Sequence, residues 1–149
     1  MPNSHKTYTS IPEFLELAIQ FEVDSAHFYE ALQQKVSNPQ AQDVLEMLAK
    51  EEVQHQQTLQ AYEVKDKSGF LQFAPSLTAL MPPVPEELPG VDECLTLALA
   101  REQKSVEIYE NTAGMTTGDF REILLGLANF ERQHIEKVTM LKRSFGKES

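Results

Sequence analysis

Residues 50–55 read Lys-Glu-Glu-Val-Gln-His (KEEVQH), and residues 129–134 read Asn-Phe-Glu-Arg-Gln-His (NFERQH). Each stretch places a glutamate three residues before a histidine: Glu52 with His55, and Glu131 with His134. Positions i and i+3 share one face of an α-helix, so each pair points both side chains the same way. The neighbours say which way. Leu48 and Leu59 flank the first pair at helical spacing, and Phe120, Leu124, Leu127, Val138 and Leu141 flank the second. Both polar pairs therefore stand where an amphipathic helix carries its apolar stripe.

Four such stripes run along the chain. The first passes through Ile11, Phe14, Leu15, Ala18, Phe21, Ser25, Phe28 and Leu32, and the second through Ala41, Val44, Leu45, Leu48, Leu59 and Tyr62. The third has Leu95, Ala98, Leu99, Val106 and Ile108, and the fourth is the stripe around Glu131 and His134, ending at Phe145. No stretch of similar length alternates at period two, so the chain reads as all-α. Ser37-Asn38-Pro39 marks one tight turn, and Gly114 with Thr116–Asp119 marks another. Proline is tolerated in a first helical turn, and glycine favours helix ends. Short turns make antiparallel neighbours, giving hairpins over 11–64 and 92–145.

The segment between them, 65–91, is proline-rich, including Met81-Pro-Pro-Val-Pro85, and has no helical period. A helix of ~25 residues is ~37 Å long, and a strand of ~26 residues can cover that length. The expected architecture is one domain, 1–149, a four-helix bundle with a long crossover. Phe70, Leu71, Phe73, Leu77 and Leu80 of the crossover are expected to pack along the bundle's side.

Further acidic residues fall in the same register. Glu22 lies between Ala18 and Ser25 in the first helix, and Glu102 follows Leu99 by three residues in the third. Glu22 and Glu52 are each 15 residues from Ser37, so a hairpin brings them to one height, and Glu102 and Glu131 flank the second turn similarly. No Lys or Arg is expected on these stripes at that height. Four buried carboxylates repel one another and each costs several kcal/mol to desolvate, so a cation cluster is the simplest neutraliser. The two halves also match internally. Tyr29 follows Glu22 by seven residues as Tyr109 follows Glu102, and Ser25 and Ser105 each come three after the first glutamate. A repeated hairpin predicts a pseudo-twofold site for two metals.

Glu22, Glu52-x-x-His55, Glu102 and Glu131-x-x-His134 together resemble the ferritin-like di-iron carboxylate superfamily, in which two helices each give a Glu and two each give Glu-x-x-His. Within it, the repeat and the paired tyrosines resemble rubrerythrin. That resemblance implies a non-haem di-iron oxidoreductase reducing hydrogen peroxide or O2, with Glu52 and Glu131 bridging the ions and a homodimer as the common assembly. Two departures stand out. The family's rubredoxin-like centre needs four cysteines, whereas this chain has only Cys94, so an external electron donor is implied. An additional glutamate often lies three after the third-helix Glu; here that position is Ser105, and the iron shift tied to it is not implied.

Tyr29 and Tyr109 are candidate catalytic residues, as hydrogen-bond donors to ligand carboxylates or redox-active phenols; packing is the alternative role. Ser25 and Ser105 either let helices cross closely or leave room for a small oxidant. Hard carboxylates with imidazoles suit iron, and manganese takes the same set. A net charge of −10 disfavours nucleic acid and anionic membranes as partners. No apolar run reaches the ~18–20 residues of a membrane span, and the N-terminus lacks a signal-type apolar region. With one cysteine and no disulfide framework, the cytoplasm is the expected location. Two other functions remain open: iron storage or delivery with ferroxidase activity, and a structural helical bundle.

Overall fold

The computed structural model describes residues 7–62, 70–73 and 81–147. Among them are four long helices: α1 (Ile11–Lys35), α2 (Pro39–Ala61), α3 (Val91–Ala113) and α4 (Gly118–Phe145). A small antiparallel ribbon pairs β1 (Thr7–Ser10) with β2 (Phe70–Phe73), in a register running from Thr7 opposite Phe73 to Ser10 opposite Phe70.

Local chemistry sets the helix ends. Ser10 Oγ accepts from Glu13 N at 3.2 Å while Glu13 Oε1 accepts from Ser10 N at 3.1 Å. This reciprocal cap satisfies two donors at the start of α1 and stabilises it by ~1 kcal/mol. Asn38 caps α2, its Oδ1 accepting from Gln40 N at 2.9 Å and Ala41 N at 3.1 Å. Pro39 at the next position has no N–H to satisfy. Between α3 and α4 the chain reverses through Gly118, whose φ of 67° is left-handed backbone that glycine adopts without steric cost. Lys142 Nζ reaches Asp92 Oδ1 at 2.9 Å, joining the end of α4 to the start of α3.

The helices pack as the two antiparallel hairpins expected, α1 on α2 and α3 on α4, with α2 against α4 and α1 against α3 across the seam. The core is divided. One apolar cluster holds Phe14, Leu15, Leu59, Met81, Ile108, Phe120 and Leu124. The other holds Phe28, Leu32, Leu45, Leu48, Val91, Leu95, Val138 and Leu141. Met81 belongs to the first cluster, while Val84 and Leu88 pack on the second, so residues 81–90 run lengthwise along the bundle. The crossover thus delivers α3 to the end where α1 turns into α2. Leu77 and Leu80, and the side chains of Phe70, Leu71 and Phe73, lie outside the described residues.

Two features differ from expectation. The β1–β2 ribbon joins segments about sixty residues apart, each too short to show a period-two pattern. The buried stripe of α3 is also rotated by about one position. It runs through Cys94, Leu95, Ala98, Arg101, Glu102, Ser105, Ile108 and Tyr109, with Leu99 and Val106 only half-buried. Small residues, Ala98 and Ser105, alternate on this face with Leu95, Ile108 and Tyr109, so the largest hydrophobics alone do not mark it.

Candidate metal centre

Between the two apolar clusters lies a polar layer. Glu22, Glu52, Glu102, Glu131, His55 and His134 are each no more than 4% exposed. α1 supplies Glu22, α2 Glu52 and His55, α3 Glu102, and α4 Glu131 and His134. One ligand-capable atom from each of Glu52, His55, Glu131 and His134 lies within 4.8 Å of the others. The imidazoles stack with centroids 5.4 Å apart and planes inclined at 17°.

Both histidines turn Nδ1 inward. His55 Nδ1 lies 3.0 Å from Glu131 Oε1, 3.2 Å from Glu52 Oε1 and 3.7 Å from Glu22 Oε1. His134 Nδ1 lies 2.8 Å from Glu102 Oε2, 3.2 Å from Glu52 Oε1 and 3.5 Å from Glu131 Oε1. Glu52 and Glu131 therefore face both imidazoles, while Glu22 and Glu102 each face one. All six residues come together within a single chain.

The electrostatics show the strain of this arrangement. Burial, with the charge of Glu52 adding to it, pushes Glu22 up to about 7. Burial and neighbouring carboxylates push Glu102 and Glu131 well above the usual carboxylate range. Burial would raise Glu52 too, but the two imidazoles beside it win and hold it down at about 2. Burial would likewise lower the histidines, and the surrounding carboxylates outweigh it and raise both. Without a bound metal ion, the repulsion among these carboxylates favours proton uptake by the layer.

Close approach is not matched by directed bonding. Both carboxylate oxygens of Glu52 and of Glu131, and Nδ1 of His55, are buried without an aligned hydrogen-bond partner. A buried acceptor left unpaired costs ~1–3 kcal/mol, more when charged. Five such atoms around one centre fit a divalent cation cluster, and carboxylate oxygen with imidazole nitrogen is the donor set of iron and manganese.

The tyrosines flank the layer. Tyr109 OH donates to Glu22 Oε1 at 2.7 Å, crossing from α3 to α1. Tyr29 is buried beside Glu102, and burial and that charge raise its phenol well above its usual value. Ser25 and Ser105 are both buried, and Ser25 is hydrogen-bonded. Its Oγ accepts from Arg101 Nη2 at 3.1 Å.

Arg101 corrects the expectation that no cation shares the layer's height. It is 3% exposed and adjoins Glu102 on α3, and its Nη1 donates to the Pro82 carbonyl of the crossover. A three-carbon stem lets the guanidinium lie along the helix seam rather than extend to water. The signal was its place between Ala98 and Ser105, on the small-residue face. Glu51 is a second residue that pattern did not single out. Its Oε1 lies 2.9 Å from His134 Nε2 and 3.4 Å from Lys137 Nζ. Beyond adjoining Glu52, nothing in the sequence marks it.

Fold and site together define a four-helix-bundle carboxylate protein with an internal Glu/His layer. Residues 13–77, which carry Glu22, Glu52 and His55, match the rubrerythrin family model. Among solved structures, a Thermotoga maritima protein described as a candidate ferritin-like diiron-carboxylate protein superposes with a TM-score of 0.71 at 19% identity, over 92% of this chain and 97% of that one. A hypothetical protein from Pyrococcus furiosus superposes with a TM-score of 0.64 at 23% identity, over 88% and 87%. At these identities the likeness is one of fold, and it extends through the second hairpin. No curated protein sequence matches the chain. The first hairpin is thus similar to the rubrerythrin family, and the chain as a whole shares the fold of these two structures. None of its described helices is long and apolar enough to cross a membrane.

Proposed function

We propose that the Glu/His layer holds two iron ions and that the protein is a non-haem di-iron oxidoreductase that reduces hydrogen peroxide or O2. The observation that carries this is the set of buried, unpaired acceptor atoms on Glu52, Glu131 and His55 at the centre of the layer. Glu52 and Glu131, each near both imidazoles, are the residues placed to serve both ions. Glu22 with His55 would complete one position, and Glu102 with His134 the other. Manganese fits the same donors.

A bound iron pair would supply two electrons together to a small oxidant. The chain's own residues prepare the site for this. The two apolar clusters above and below the layer exclude bulk water, which strengthens every charge interaction inside it. Tyr109 holds a proton 2.7 Å from Glu22 Oε1, at the edge of the layer. Tyr29 keeps its proton beside Glu102, because burial and that charge both disfavour the phenolate. Two phenolic protons thus stand next to the carboxylates where charge would change.

Electrons would come from an external donor, since this chain's single cysteine cannot build a four-thiolate iron centre. Rapid mixing tests the proposal. Protein loaded anaerobically with two Fe²⁺ per chain is mixed with equimolar hydrogen peroxide and, separately, with O2, and absorbance is followed. Fast oxidation by peroxide is expected. Oxidation by neither would overturn it, and faster oxidation by O2 in a shell-sized assembly would move the function to iron storage.

A further inference from the structure

The repeat that makes the two halves alike breaks one residue before each Glu-x-x-His. In α2 that residue is Glu51; in α4 it is Phe130. The two histidines therefore meet different supports. His134 is fully buried, and its outward Nε2 lies 2.9 Å from Glu51 Oε1. Lys137 Nζ, 3.4 Å from the same oxygen, helps to fix that carboxylate. His55 instead has the Phe130 ring against it, with centroids 5.3 Å apart at 49°, and Phe130 is half exposed. An aromatic ring packs on an imidazole but is at best a weak acceptor compared with a carboxylate.

We infer that Glu51 is a positioning residue for His134, accepting from Nε2–H so that Nδ1 presents its lone pair to the layer, and that the two metal positions are consequently unequal. This rests on the di-metal proposal above. A carboxylate on the far nitrogen fixes a histidine's tautomer and ring orientation and raises its basicity, and losing such a partner typically weakens metal binding ~10–100-fold. His55 has no such brace from the corresponding position. Glu51 is about a quarter exposed at its side chain, so it can be replaced without opening the core.

The test is anaerobic titration with Co²⁺ against a competing chelator dye, with the cobalt absorption spectrum recorded at each step. The wild type, Glu51→Ala and Glu51→Gln are compared, and thermal unfolding of the metal-free proteins checks that each is folded. Wild type should take two Co²⁺ per chain. Glu51→Ala should weaken one of the two by about 10–100-fold, alter that ion's spectrum and leave the other ion unchanged. Glu51→Gln should recover most of the loss, because its amide oxygen still accepts from Nε2–H although it carries no charge. If Glu51→Ala binds both ions as wild type does, or if Glu51→Gln is no better than Glu51→Ala, the positioning role is overturned while the di-metal proposal stands. Failure of the wild type to bind a cobalt pair would overturn both.

Discussion

The first hairpin and the second contribute the same inward-facing donors, Glu22, Glu52 and His55 from one and Glu102, Glu131 and His134 from the other. Their supporting residues differ. Phe21 precedes Glu22 where Arg101 precedes Glu102, and Glu51 precedes Glu52 where Phe130 precedes Glu131. Glu51 touches His134 where Phe130 packs on His55, and Arg101 reaches Ser25 and the Pro82 carbonyl where Phe21 packs on an apolar cluster. Metal chemistry restricts the donors to a few residue types at fixed spacing. The residues behind them only have to hold the donors in place, and polar or apolar contacts can do that. The difference divides what the site requires from what this chain has specialised.

Substituting a shared carboxylate tests the common part. Glu131→Ala or Glu52→Ala is expected to abolish paired-metal binding, measured as metal content after anaerobic loading, whereas either one alone retaining two ions would break the assignment. The isosteric Glu131→Gln should have opposite effects on binding and on stability. It removes one of four mutually repelling buried carboxylates, so the metal-free protein should unfold at a higher urea concentration at pH 8 while losing metal. A loss of stability would mean that Glu131 is better satisfied than its unpaired oxygens indicate.

Arg101→Met probes the specialised part. It keeps the stem volume but deletes the bonds to Ser25 and to the Pro82 carbonyl. Hydrogen bonds to charged groups contribute ~1.5–3 kcal/mol, so a loss of about 2–3 kcal/mol in urea unfolding is expected. An unchanged midpoint would mean that the desolvation of Arg101 already cancels its bonds.

The metal-free protein should become more stable as pH falls from 8 to 6. Glu22, raised to about 7, favours the folded state below the unfolded value of 4.5 and loses that advantage as pH climbs through 7. Glu102, Glu131 and both histidines are shifted upward and act in the same direction. Glu52, held at about 2, changes nothing in this window because it is ionised in both states above 4.5. The melting temperature should rise by several degrees, given ~2–4 °C per kcal/mol for a chain of this size. The metal-loaded protein should show the reverse trend, because protons compete with the ions for the same atoms. Parallel pH profiles for the two forms would contradict the account.

The tyrosines give the smallest expected effect. Tyr109→Phe removes the O–H that Glu22 accepts and should cost ~1 kcal/mol of metal-free stability. Tyr29→Phe should cost less, since no described hydrogen bond of Tyr29 corresponds to that of Tyr109 with Glu22. Equal losses would restore the symmetry between the halves at this position.

Much of this was legible in the chain itself, for physical reasons. Glu52, His55, Glu131 and His134 interrupt stripes of leucine at helical spacing, and burying a carboxylate is costly enough to make such interruptions informative. Asn38-Pro39 and Gly118 are turn residues whose backbone preferences are local, so the hairpins could be drawn and the heights of Glu22 and Glu102 inferred. The ribbon of β1 with β2 depends on an encounter between distant segments, which no window of sequence contains. Arg101 was hidden by the usual exposure of arginine; only the packing of α3 on α1 shows that its guanidinium ends on Ser25. Glu51 needed the α2–α4 crossing before its reach to His134 could be seen.

The most direct test of the central claim is the metal content of protein loaded anaerobically with excess Fe²⁺ and then freed of unbound ions. Two irons per chain, falling to one or none in Glu131→Ala, is the result this account predicts. Wild-type protein that emerges without iron would contradict it, and the buried glutamates and histidines would then have to be neutralised by protons alone.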